Sequence, residues 1–85
     1  MIEEILELVT KLVTEMLLQR GINVKPSPDT SLIDSGLIDS TSVVTFVADL
    51  EGAFGITISM SDMTLDNFDN ITRISELVRS KLALR

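Results

Sequence analysis

The sequence contains no cysteine and no histidine. Without cysteine there is no disulfide framework and no thiolate nucleophile. Without histidine the commonest general base and metal ligand is missing. That argues against a self-contained catalytic triad and against a structural zinc site. Tryptophan and tyrosine are also absent, and only three phenylalanines occur, so the core must be mostly aliphatic. No segment approaches the roughly 18 uninterrupted apolar residues that suggest a membrane span. The opening MIEEILEL is acidic and lacks a small-residue cleavage site, so it does not read as a secretory signal. A cytoplasmic protein with no membrane attachment is expected. Lysine and arginine are missing from the whole interval between Lys25 and Arg73.

That same interval holds Asp29, Asp34, Asp39, Asp49, Glu51, Asp62, Asp66 and Asp69. The net charge of −6 argues against nucleic acid or an anionic membrane as a partner. The acids suit either a solvated, soluble surface or a field that steers basic partner surfaces toward the middle of the chain. With 85 residues and 45% hydrophobic content, an ordered single domain over 1–85 is expected. A domain of that size is only marginally stable.

Residues 2–19 predict a first helix. Ile2, Ile5, Leu6, Val9, Leu12, Val13, Met16 and Leu17 recur at the spacing of one helical face. Glu3, Glu4 and Glu7 lie at its start, where the dipole favours acid, and Arg20 and Gly21 give a basic end and a stop. A membrane-surface helix would want Lys and Arg along its polar face, which is mostly acidic here. Residues 21–39 contain Pro26 and Pro28, which exclude regular helix. So long a connection must be pinned by its own apolar residues: Ile22, Val24, Leu32, Ile33, Leu37 and Ile38.

A second helix is expected over Ser40–Phe54, with Val43, Val44, Val47, Leu50 and Phe54 at helical spacing and Gly55 ending it. The β-branched run TSVVTFV would also suit a strand, but the spacing favours helix. Ile56 to Ile58 reads as an extended link. One short helix is expected within 61–68, capped by Ser61 or Thr64 and anchored by Met63, Leu65 and Phe68. Asn70 then caps a last helix over 71–83. Ile71, Ile74, Leu77, Val78 and Leu82 form its inward stripe, and Arg79, Lys81 and Arg85 lie near its C-terminal end. The fold class is all-α: a small four-helix bundle, three main helices and a short third, with a long first connection.

The junction Asp39-Ser40 opens the second helix. Serine is a good N-cap, so Ser40 suits a purely structural role. With no histidine to activate it, it is not a catalytic nucleophile by the usual logic. It also suits a third role, as acceptor for a group transferred by another enzyme. A phosphate ester on a helix's first turn faces open N–H groups and the positive end of the dipole. Asp39 would then offer oxygen to a divalent metal held by that enzyme.

Gly36-Leu37-Ile38-Asp39-Ser40, followed by Val44, Val47, Leu50 and Phe54-Gly55, resembles the signature of acyl and peptidyl carrier proteins. Leu65-Asp66-Asn67-Phe68-Asp69-Asn70-Ile71 resembles the segment joining their third and fourth helices. The likeness covers roughly residues 29–80, and the first helix is compatible with it. It implies a four-helix carrier bundle whose serine, Ser40, bears 4′-phosphopantetheine. Ser35 falls before the motif glycine and Ser42 inside the helix. A phosphopantetheinyl transferase would supply the arm from coenzyme A, with Asp39 assisting. Its thiol would hold an acyl or aminoacyl group as a thioester for ligases, synthases or transferases with basic docking surfaces. Those enzymes belong to fatty-acid, polyketide or nonribosomal-peptide types of biosynthesis. The carrier is expected to be a monomer.

On the same resemblance, partner recognition falls to Thr41, Thr45, Ala48, Asp49, Glu51, Asp62 and Asp66. The residue after the serine is usually Leu or Met in the family and is Thr41 here. Val43, Val47, Phe54, Ile58, Met63 and Leu65 are candidates to line a space for the acyl chain, or simply core. Two rival readings are a helical module that binds proteins through its acids and a small enzyme built on carboxylates and hydroxyls.

Overall fold

The computed structural model describes residues 2–84. Three α-helices carry the fold: α1 (Ile2–Gln19), α2 (Ser40–Phe54) and α3 (Ile71–Ala83). Each begins or ends on a local signal. Gly21 takes a positive φ of 79° after α1, and its N–H donates to the Leu18 carbonyl at 2.9 Å while that of Ile22 reaches Leu17 at 2.8 Å. That pair of bonds closes the last turn of the helix. Arg20 therefore sits just past the helix and not in its last turn. Asn70 Oδ1 accepts from the Arg73 N–H at 2.7 Å and opens α3. Lys81 is in the last turn of α3, and Arg85 lies outside the described residues.

Where the sequence predicts one short helix, the chain makes two three-residue 3-10 turns, Met60–Asp62 and Asp66–Phe68. Local side-chain bonds close each turn. Asp62 Oδ2 accepts from the N–H and hydroxyl of Ser59 at 3.0 and 2.7 Å, so Ser59, and not Ser61, opens the first. Thr64 Oγ1 accepts from the Asn67 N–H at 3.2 Å.

The core draws on all three helices and both connections. Ile5, Val9, Val13, Met16 and Leu17 of α1 and Ile71, Ile74 and Val78 of α3 are buried, and these two helices share the largest helix–helix interface. From α2 come Val43, Phe46, Val47 and Leu50. Phe46 is an addition to the expected stripe. Val44, one residue round the helix from Val43, is 62% exposed, and Phe54 is only partly buried. The 20–39 connection is pinned by buried Leu32, Ile38 and Pro26, with Ile22, Ile33 and Leu37 partly buried. Val24 is exposed instead. The connection is also tied to the start of α3. The Leu32 N–H donates to the Asp69 carbonyl at 2.6 Å, and the Ser31 hydroxyl to Asp69 Oδ1 at 2.6 Å.

Asp62 meets Lys81 Nζ at 2.6 Å, the one ion pair among the described residues. It joins the 56–70 segment to the end of α3. The Lys81 ammonium first, then the hydroxyl and N–H of Ser59, hold the Asp62 carboxyl down to about 2 from its ordinary 3.8. A depressed folded pKa contributes stability above the unfolded value that is lost as pH falls through the folded one. Urea midpoints should therefore fall between pH 4 and 2, and fall less steeply in Asp62→Asn. Ser75, inside α3, is 1% exposed, and its hydroxyl has no hydrogen-bond partner. An unmet buried hydroxyl costs roughly 1–3 kcal/mol. Ser75→Ala should raise unfolding free energy by about 1 kcal/mol, measured by urea denaturation.

Candidate functional site

The turn before α2 aims the chain. Gly36 takes φ 76°, and its N–H donates to the Ile33 carbonyl at 3.0 Å, as that of Ile38 does to Leu32 at 3.0 Å. Ile38 is then buried on one side of the junction and Val43 on the other. The two residues next after Ile38, Asp39 and Ser40, are left exposed.

Asp39 is the N-cap. Its backbone is extended (φ −130°, ψ −177°) and its Oδ1 accepts from the Ser42 N–H at 2.8 Å. The cap that suits Ser40 in the sequence thus belongs to the residue before it. Ser40 is the first residue of the helix, and its hydroxyl makes no hydrogen bond to any described residue. The Asp39 carboxyl is held below its ordinary value, chiefly by the Ser42 N–H and hydroxyl and further by the Arg20 charge. Arg20 Nη1 donates to Ser42 Oγ at 2.7 Å and to the Leu37 carbonyl at 3.1 Å. The end of α1 therefore braces the turn that presents the serine.

Two hollows flank this turn. One, of about 240 Å³, runs between α2 and the 60–65 segment, with Ser40 beside Val43, Val44, Met60, Met63 and Leu65. The other, of about 320 Å³, lies between the ends of α1 and α2 and is more polar, taking in Arg20, Asp39, Thr41 and Thr45. Among the described residues no group of His, Cys, Asp and Glu could hold a metal ion. No described helix is long and apolar enough to cross a membrane.

The family model described as phosphopantetheine attachment site matches residues 2–79. The chain is 30% identical over 74 residues to aminoacyl carrier protein 1 of Bradyrhizobium diazoefficiens, covering 87% of this chain and 81% of that one. It is 29% identical over 72 residues to a D-alanyl carrier protein of Streptococcus pyogenes, covering 85% and 82%. A D-alanyl carrier protein of Streptococcus mutans is 29% identical over 68 residues, covering 80% and 82%.

The chain belongs to the phosphopantetheine attachment site family. It is a carrier and not an enzyme, and the group covalently attached in this family is 4′-phosphopantetheine. The start of α2 fits that group: an exposed hydroxyl, not needed for the cap, stands at the positive end of a helix, where a phosphate ester is favoured.

The expected site residues of this carrier divide. Val43, Met63 and Leu65 line the hollow beside Ser40. Val47 and Ile58 are core, 4% and 5% exposed, and Phe54 packs partly against that core. Val44 and Met60 line the hollow without having been among the candidates. Val44 was legible, since it is four residues on from Ser40 and shares its face; Met60 depends on the fold of the 56–70 segment. Thr41, Thr45, Ala48 and Asp49 are exposed on α2, and Asp66 on its turn. Glu51 and Asp62 are engaged internally. Glu51 Oε2 accepts from the Ile58 N–H at 2.8 Å, and Asp62 pairs with Lys81. Both acids are tied to the 56–70 segment, and the Asp62 charge is further offset by Lys81.

Because Asp39 and not Ser40 caps α2, Ser40→Ala should change stability by less than about 0.5 kcal/mol. Asp39→Ala should lower the urea midpoint clearly, and Asp39→Asn should recover most of that loss. A clear loss in Ser40→Ala with none in Asp39→Ala would return the cap to the serine.

Proposed function

We propose that this chain, acting as a single monomeric carrier unit in the cytoplasm, bears its 4′-phosphopantetheine on Ser40 and carries an aminoacyl group or another small acyl group to biosynthetic enzymes. The observation that supports the attachment is the exposed Ser40 hydroxyl, the first residue of α2, relieved of capping by Asp39. When bound, the arm supplies a terminal thiol that holds the cargo as a thioester. The chain supplies everything else. Asp39 keeps the turn closed and stays ionised at neutral pH, available to a metal in the transferase. Val43, Val44, Met60, Met63 and Leu65 offer apolar cover beside the serine, and the two methionines suit a surface that must re-pack around different cargo.

An aminoacyl cargo is preferred because two relatives are aminoacyl and D-alanyl carriers. The partners in this reading are a phosphopantetheinyl transferase and a ligase that activates the cargo. They dock on the exposed side of α2, at Thr41, Thr45, Ala48 and Asp49. With only Asp49 charged there, complementarity of shape outweighs attraction between strong opposite charges.

Incubation with coenzyme A and a promiscuous transferase should give a single adduct in the intact mass. The adduct should persist in Ser35→Ala and vanish in Ser40→Ala. An adduct on Ser40→Ala removes the assignment. The modified protein, offered in parallel to an amino-acid-activating and a fatty-acid-activating ligase, should load better with the first; the reverse order overturns the cargo.

A further inference from the structure

Ser40 stands on the rim of the apolar hollow, while both its neighbours, Asp39 and Thr41, line the less apolar one between α1 and α2. An arm ester-linked at Ser40 has two directions open to it, and charge separates them. A phosphodiester on Ser40 adds a permanent negative charge beside the Asp39 carboxylate, which takes the Ser42 N–H and itself lines the hollow between α1 and α2, so a second anion on that side needs a cation to offset it. The apolar hollow offers it Val43, Val44, Met60, Met63 and Leu65, with no cation and no side-chain N–H donor.

The hollow between α1 and α2 offers Arg20 beside Met16. One guanidinium nitrogen, Nη1, makes both of its bonds, to Ser42 Oγ and the Leu37 carbonyl. No carboxylate of a described residue forms an ion pair with it, the one such pair being Asp62 with Lys81, though its charge acts on the nearby Asp39 carboxylate. Lys25, the next cation along the chain, lines a separate hollow over α1 with Lys11 and Glu15, and no other Lys or Arg follows before Arg73. Among the cations near the turn, Arg20 alone lines a hollow shared with Asp39. Gln19 and Thr45, in the same hollow, add groups that can bond the amides and hydroxyl of the arm.

We propose that Arg20 and the hollow between α1 and α2 seat the phosphodiester at the root of the arm, leaving the flexible remainder free to bring its cargo to the apolar hollow. Arg20 is a positioning residue in this scheme, matching a phosphate with the donors it has left. The inference rests on attachment at Ser40.

The test uses the full chain, modified and unmodified, as wild type, Arg20→Gln, Arg20→Lys and Ser42→Ala. The readouts are the ³¹P shift of the phosphodiester and the amide shift changes on modification. In the wild type those changes should centre on Gln19, Arg20, Thr41 and Thr45. The ³¹P position should be kept in Ser42→Ala, partly kept in Arg20→Lys and displaced in Arg20→Gln. Raising salt from low to high should move the wild-type resonance toward its position in the urea-unfolded modified protein, a measurement that stands even if Arg20→Gln folds poorly. A ³¹P position indifferent to Arg20 substitution and to salt, or amide changes centred on Val44, Met60 and Leu65, overturns this inference alone. Failure of every variant to take up the arm overturns it together with the Ser40 assignment.

Discussion

A helix begins with N–H groups that its own turns do not satisfy, and whichever side chain answers them is no longer available for anything else. In α2 the answer comes from the Asp39 carboxylate, at 2.8 Å from the Ser42 nitrogen. That bond divides the labour between two adjacent residues. The acid closes the turn, and the serine after it keeps a hydroxyl with no internal duty, exposed at the positive end of the helix. Had the serine been the cap, its oxygen would have been turned into the helix, and modification would have had to break the cap first. The Asp-Ser order leaves a first-turn hydroxyl outside the capping bond.

The capping bond holds its place because the chain on both sides of it is anchored. Ile38 and Val43 are buried, and Arg20 ties the Leu37 carbonyl to the Ser42 hydroxyl from the end of α1. The long connection before it is no loose tether. Leu32 is wholly buried and hydrogen-bonded to Asp69 just before α3. Three elements distant in sequence thus fix one exposed turn, and a free hydroxyl is presented from a rigid base.

Much of this was legible in the chain itself. The limits of α1, α2 and α3 were, because Gly21, Gly55 and Asn70 are local signals whose backbone preferences do not wait for tertiary structure. The proposed attachment at Ser40 rests on the resemblance and not on its position, since position alone favours a cap. What escaped depended on neighbours in space. Val24 and Pro26 are two residues apart in an irregular segment, and no period says which is buried. Glu51 and Asp62 read as surface acids, yet each accepts a backbone N–H from the segment after α2, at Ile58 and Ser59. One short helix became two 3-10 turns because local bonds from Asp62 and Thr64 close single turns and compete with a continuous helix.

The same distribution of contacts gives the molecule a firm side and a yielding one. α1 and α3 share the largest helix–helix interface, and α2 meets each of them less extensively. On the far side of α2, the 56–70 segment is held by its buried Ile56, Ile58 and Phe68, by the Glu51 bond to Ile58, and by the Asp62–Lys81 pair. Between those anchors the side chains facing Ser40 are exposed: Met60 is 87% exposed and Leu65 51%. Displacing them breaks few buried contacts, so local opening there lies at the low end of the stability scale while the α1–α3 core lies at the high end. A carrier needs both properties at one serine: a fixed point for the arm, and adaptable cover for a cargo that changes. In the proposed attachment at Ser40, the cap and the Arg20 brace fix the root of the arm on one flank of α2, and exposed Met60 and Leu65 on the other offer adaptable cover.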